Sequence, residues 1–211
     1  MRLTASGFHA IVTRKKRDVS KLIEGKIKNK QFTNRYTRWG LQGEHVAIAA
    51  YKAQKSREGY DVKAVDDLGL VINPAFPYLG ASLDGYVTLQ MDGKVEHGAV
   101  EIKTLAKHAS LTLAQAAEVK DMFFTYKDNA LQVDRSHKYY HQVQGQLFIA
   151  GLDWCDLFIW TPQSSGYERI YKDKTLWAIM LPKLSDFYFQ HFLPALASTE
   201  HTHADGSGHD I

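Results

Sequence analysis

The chain has 211 residues, of which 45% are hydrophobic and 23% charged, the proportions of a folded domain rather than of a disordered or fibrous chain. No apolar run approaches the roughly 18–20 residues of a membrane span, and no apolar stretch follows the first charges as in a secretory signal. A single cysteine, Cys155, excludes an internal disulfide framework and a four-cysteine metal site, and points to a reducing, intracellular compartment. The net charge is only +3, but residues 1–38 carry eleven Lys/Arg against Asp18 and Glu24, a net +9 that leaves −6 for the rest. A basic arm that includes Arg14, Lys15, Lys16, Arg17 and Arg38 suits a polyanion, of which nucleic acid is the commonest.

In chain order, Asp18–Lys30 reads as a short amphipathic helix, with Val19, Leu22, Ile23 and Ile27 at helical spacing. Trp39–Ala53 reads as a second helix. A β region follows: a short apolar run at Leu70–Ile72, a strand at Ala81–Gln90, a turn at Asp92-Gly93 and a strand at Ala99–Leu105. The pair reads as a hairpin with a loop somewhat longer than the minimum. Leu111–Lys120 is Ala-rich and helical in character. Lys138–Ala150 has Tyr139, Val143, Leu147 and Ala150 spaced for one buried face, with Gly151 as its cap. Trp154–Thr161 is aromatic and β-branched and reads as a strand, paired with Tyr167–Tyr171. A long helix over Thr175–Ala197, interrupted near Pro182, closes a domain of residues 1–198. The polar tail 199–211 is expected to be disordered. The order of elements is that of an α/β fold with a central mixed β-sheet flanked by helices.

The chemistry concentrates in Gly80–Lys103. Glu101 and Lys103 are two apart on a strand, so their side chains leave one face. Asp84, on the preceding strand, can approach Glu101 across the ladder, where opposed Cβ atoms are about 4.5–5.5 Å apart. Two carboxylates that close repel unless a cation separates them. Mg²⁺ suits such a site, with Mn²⁺ as a substitute, because it prefers hard oxygen ligands and keeps several waters. The backbone carbonyl of Ile102 would point into the same space as a third ligand. A metal so held polarises a phosphodiester and lowers the pKa of a bound water, and Lys103 orients that water or stabilises charge on the phosphate. The rival reading of the same spacing is a surface strand carrying an ordinary Glu–Lys pair.

Several segments in order resemble the phage lambda exonuclease family, also called the YqaJ viral recombinase family, of the PD-(D/E)xK nuclease superfamily. They are Leu3-Thr4-Ala5-Ser6, Arg38-Trp39-Gly40 with Glu44, Gly80-Ala81-Ser82-Leu83-Asp84-Gly85, Val100-Glu101-Ile102-Lys103 and Tyr139-Tyr140-His141-Gln142-Val143-Gln144. The resemblance implies a restriction-endonuclease-like core. It implies Asp84 and Glu101 as metal ligands, Lys103 as the catalytic lysine, and Glu44 projecting toward the metal directly or through water. It places Gln144, and beside it Gln142, at the active site or the DNA backbone, and Ser6 near a terminal 5′ phosphate. Leu83 stands where the family has proline, and Thr104-Leu105 where Cys-Pro often follows the lysine. The family's arginine upstream of the Ser6 element has no counterpart, a role that Arg14, Lys15, Lys16 or Arg17 could take.

The resemblance further implies a deoxyribonuclease that degrades duplex DNA from a 5′ end for recombination, a ring-shaped trimer, and a single-strand annealing partner. Two other readings stand beside it: a structure-specific or nicking endonuclease on the same fold, and a non-catalytic DNA-binding module. Elsewhere, His137 and His141 are four apart on a helix but lack the glutamate of a zinc-protease pattern. Cys155 lies on an apolar strand and reads as core.

Overall fold

The computed structural model describes residues 1–16, 18–27 and 35–204, the side chains of 35–42 and 199–204 excepted. Arg17, Lys28, Lys30, the side chain of Arg38 and the end of the tail lie outside the described residues. The centre is a five-stranded mixed sheet in the order β10-β9-β6-β5-β2. Its strands are β2 (Asp61–Asp66), β5 (Gly85–Met91), β6 (Lys94–Thr104), β9 (Trp154–Trp160) and β10 (Ser165–Tyr171). β6 and β9 are parallel, and the other pairs are antiparallel. Parallel neighbours need a long crossover. Here it carries α4 (Leu113–Ala117), a small hairpin of β7 (Phe124–Lys127) and β8 (Ala130–Val133), and α5 (Lys138–Ala150).

The β5–β6 hairpin is tighter than the sequence predicts. Met91 pairs with Lys94, and Asp92 and Gly93 both take positive φ (51° and 76°) in a two-residue turn, the geometry that matches strand twist. The helix expected over Leu111–Lys120 is only the five residues of α4, started by a reciprocal cap between Thr112 and Gln115. α5 has the predicted bounds and ends at Gly151 in the left-handed conformation. The strand β2 has no counterpart in the sequence reading.

Alternation along β6 sorts the core. Val100 and Ile102 join Val87, Leu89, Trp154 and Phe158 on the face covered by α3 (Arg35–Arg57) through Ala47 and Tyr51. Ala99 joins Cys155, Leu157 and Ile159 on the opposite face, under Val143 and Leu147 of α5. Cys155 is buried core, as expected, and burial raises its thiol well above the ordinary range. On the α3 face, Asp156 is wholly buried and fully partnered. It accepts from Tyr51 Oη at 2.8 Å and Arg169 Nε at 2.8 Å, and pairs with Lys55 Nζ at 3.0 Å.

The N-terminal segment packs on the far side of α5. β1 (Leu3–Thr4) pairs in parallel with β4 (Leu79–Ser82), which also pairs with β3 (Leu70–Val71). A tight turn at Ala5–Gly7 and α1 (Phe8–Val12) then lie on α5. A Cβ at Gly145 would stand 2.7 Å from the Phe8 ring and 3.1 Å from Ala5, so glycine there permits the approach. α2 (Ser20–Ile27) packs its apolar residues against this second core. α6 (Lys174–Phe187) follows, and Pro182 sits within it without ending it. The interruption comes later, as one wide turn at Tyr188–Phe192, before α7 (Leu193–Ala204). No helix among the described residues is long and apolar enough to cross a membrane.

Candidate nuclease site

Asp84 does not sit within a strand. The predicted strand Ala81–Gln90 breaks between β4 and β5, and the break holds Asp84. The β5–β6 ladder stops at Gly85 opposite Val100. Beyond it the Asp84 carboxylate takes the place of a strand, with Oδ2 accepting from Ile102 N at 2.7 Å. A Cβ on Gly85 would collide with the side chains of Val65 and Val100, which is why glycine follows the aspartate. In a strand the N–H and C=O of one residue leave the same edge. The Ile102 carbonyl therefore leaves the edge on which Asp84 lies.

Glu101 projects from the opposite face of β6, beneath α5, and is 1% exposed. Three donors converge on it. Lys103 Nζ and Gln142 Nε2 reach Oε1, the latter at 2.6 Å, and Gln146 Nε2 reaches Oε2 at 2.6 Å. Lys103 also lies 4.6 Å from the centre of the Tyr139 ring, a cation–π contact. Burial alone would pull the Lys103 ammonium down, but Glu101 and Asp84 outweigh it and hold its pKa above the ordinary value. Burial and the Glu101 charge push Asp84 up to about 7, against the opposing pull of Lys103 and the Ile102 N–H, with Glu44 adding to the rise. Glu44, half-buried on α3, is thus electrostatically coupled to Asp84 from the other side of the sheet edge.

Gln144 is a correction. It is fully buried but faces away from Glu101. Its Nε2 donates to Tyr171 O at 2.9 Å and its Oε1 accepts from Asp173 N at 2.7 Å, tying α5 to the junction of β10 and α6. A helix advances about 100° per residue, so Gln142 and Gln144 point to opposite sides, whereas Gln142 and Gln146 share a face. Gln146 is the glutamine that the sequence reading missed, and its i,i+4 spacing from Gln142 was the signal.

Ser6 is exposed in the turn before α1, and its Oγ lies 3.4 Å from Thr4 Oγ1. It is not a helix N-cap: Thr4 precedes the turn and Gly7 precedes α1, neither with a side-chain cap. Ser6 lines a cavity of about 500 Å³ with Arg2, Thr4, Gly7 and Lys26. The Lys26 Nζ is the atom a Cβ on Gly7 would meet, and burial lowers its pKa. Arg14 turns back instead, donating to the Asp18 carbonyl. Lys15 and Lys16 are exposed beyond α1. His137 caps α5 through Nδ1 to Tyr139 N at 3.3 Å, and His141 is buried edge-on to His9 at 4.8 Å between ring centroids.

Among the described residues no three His, Cys, Asp or Glu side chains converge as a complete metal shell. The donor set still fits a hard cation. Mg²⁺ is commonly bound by one or two carboxylates with waters and substrate oxygens completing its octahedron. Burial first, and then the Glu101 charge, raises the Asp84 pKa, and a cation between the two carboxylates would oppose both effects.

The model of the YqaJ-like viral recombinase domain matches residues 1–153; the chain belongs to that family. No curated protein matches by sequence. Among solved structures, the fold is similar to an alkaline exonuclease from Laribacter hongkongensis, with a TM-score of 0.65, 22% identity, and 97% of this chain and 94% of that one covered. The same exonuclease in complex with dAMP gives the same figures. A phage-related exonuclease from Haemophilus somnus 129PT is similar with a TM-score of 0.60, 13% identity, and 95% and 96% covered.

Proposed function

We propose that this chain is a Mg²⁺-dependent deoxyribonuclease that hydrolyses phosphodiester bonds of duplex DNA from a 5′ end and acts in recombination. The observation that carries the reading is the meeting of Asp84, Glu101 and Lys103 at the sheet edge where β5 stops, roofed by the glutamines of α5. Asp84, Glu101 and the Ile102 carbonyl would hold the cation, with Glu44 reaching it directly or through water. When bound, the cation supplies Lewis acidity toward a phosphodiester oxygen and a water of lowered pKa. The residues do the rest. Glu101, fixed by three donors, keeps its carboxylate in one orientation. Lys103 holds a full charge beside it and is placed to orient the attacking water or to stabilise charge growing on the phosphate. Water oxygen bonds to phosphorus, the bond to the bridging oxygen breaks, and that oxygen leaves with a proton.

The Ser6 cavity, with Arg2 and Lys26, supports recognition of a terminal phosphate, since hydroxyl and cationic donors suit that anion. The related alkaline exonuclease was solved with dAMP, a nucleoside monophosphate of the kind that trimming from an end releases. A ring-shaped trimer and a single-strand annealing partner are part of the same proposal.

The test is cleavage of an end-labelled linear duplex with Mg²⁺, beside a covalently closed circle and a Lys103→Ala control. Stepwise shortening of the linear strand that disappears in the control supports the exonuclease. Cutting of the circle points to an endonuclease on this fold. DNA binding with no cleavage of either substrate leaves a binding module.

A further inference from the structure

Gln146 carries an unanswered oxygen. The residue is 1% exposed. Its Nε2 donates both to Glu101 Oε2 at 2.6 Å and to the Ser82 carbonyl at 2.9 Å, while its Oε1 is buried with no partner. The orientation of this amide is forced. Reversing it would turn an oxygen toward two acceptors, a carboxylate and a carbonyl, so the nitrogen must face them and the oxygen must face elsewhere. A buried acceptor left unmade is costly, and natural sites satisfy such atoms with a donor. Gln146 Oε1 is bonded to the carbon that bears Nε2. It therefore lies within the reach of one solvent molecule from the Glu101 carboxylate.

We infer that Gln146 is a positioning residue whose Oε1 accepts a hydrogen bond from a water in the hydration shell of the cation held at Asp84 and Glu101. The role is distinct from that of Gln142, whose Nε2 also holds Glu101. Both amides fix the carboxylate; only Gln146 also offers a buried, unpaired acceptor. That acceptor makes the site selective for a cation that keeps its water. Mg²⁺ dehydrates reluctantly and holds its waters in a rigid octahedron, whereas Ca²⁺ takes more oxygens in flexible geometry. A fixed outer acceptor therefore favours Mg²⁺.

The inference rests on the proposed cation site, and the experiment separates the two. Calorimetric titration of Mg²⁺ and Ca²⁺ into wild type, Gln142→Met and Gln146→Met reads affinity without turnover. Gln142→Met is expected to weaken both cations by the same factor. Gln146→Met is expected to lose about 10-fold or more in Mg²⁺ affinity, the usual effect of losing an outer partner, with a clearly smaller loss for Ca²⁺. Equal selectivity in the two variants overturns the inference and leaves Gln146 as a second clamp on Glu101. A second readout needs no variant. In wild type labelled with ¹³C-glutamine, the Gln146 side-chain carbonyl signal is expected to shift on addition of Mg²⁺. An unmoved signal under saturating Mg²⁺ assigns the oxygen to a structural water and overturns the inference. Wild type that binds no divalent cation refutes the metal site itself, and this inference with it.

Discussion

Replacing Asp84 by asparagine is expected to stabilise the cation-free protein while abolishing its chemistry. The Asp84 carboxyl is pushed from an ordinary 3.8 to about 7, first by burial and then by Glu101. At about 1.4 kcal/mol per pKa unit, that shift has a ceiling of roughly 4 kcal/mol. Water reaching a half-buried carboxyl brings the expected penalty to on the order of 1–2 kcal/mol. The folded state binds the proton more tightly than the unfolded chain. The stability linked to this group is therefore full below about pH 4 and is lost as pH rises through about 7. Asparagine escapes the loss and keeps an oxygen for the Ile102 N–H. For a chain of this length, the gain corresponds to a rise in Tm of about 2–8 °C at pH 8 in EDTA. Little difference is expected at pH 4. Saturating Mg²⁺ should raise the Tm of the wild type and leave the variant unmoved, because only a state that binds the ligand gains from it. No gain at pH 8, or an equal gain at both pH values, would refute the electrostatic reasoning.

Other substitutions test the remaining geometry. Gln144→Leu strands the Tyr171 carbonyl and the Asp173 N–H and is expected to cost about 2–4 kcal/mol of stability in urea melts. Its Mg²⁺ affinity should stay unchanged, and a loss like that of Gln142→Met would return Gln144 to the site. Asp156→Ala leaves Lys55 and Arg169 without their buried carboxylate, with an expected loss of about 3–5 kcal/mol; a loss below about 1 kcal/mol would mean that water enters that network. Ser6→Ala and Lys26→Ala are each expected to slow cleavage of 5′-phosphorylated ends by about tenfold and to spare 5′-hydroxyl ends. Equal slowing on both ends would remove the Ser6 cavity from end recognition.

The hairpin that carries Glu101 and Lys103 is legible in the sequence because its alternation and its Asp92-Gly93 turn are local signals. Asp84 was legible as a residue but not in its setting, since nothing in Ala81–Gln90 marks the point where one strand ends and another begins. Only the pairing of β4 with β1 and β3, and of β5 with β6 and β2, separates them. Strand β2 was hidden because a register shift at Lys63 breaks its alternation: Val62 and Val65, three apart rather than two, face the same side, toward Leu89 and Val87. The β7–β8 hairpin was hidden by its four-residue strands and by Asp128 and Asn129, which take positive φ without a glycine. Gln144 and Gln142 came with the family resemblance; the phase of the helix, which needs only a count of residues, puts Gln146 rather than Gln144 on the face of Gln142. The cavity at Ser6 and Lys26 joins residues twenty apart through the packing of α2, which no pattern in the sequence announces.

The ion pair between Lys55 and Asp156 has a mechanical consequence for the other end of α3. Eleven residues separate Lys55 from Glu44, and eleven steps of a helix return to within about 20° of the starting direction, roughly 16 Å along the axis. Ala47 and Tyr51 lie on the same line and are wholly buried against the sheet. The buried lysine therefore acts as a key in a shaft: it fixes the angle at which α3 is mounted, and with it the direction in which Glu44 points. A helix released at Lys55 could roll in place without unfolding, and a few tens of degrees of roll would swing the glutamate off the sheet edge. Wear at a bearing far from the cutting edge would then blunt the edge.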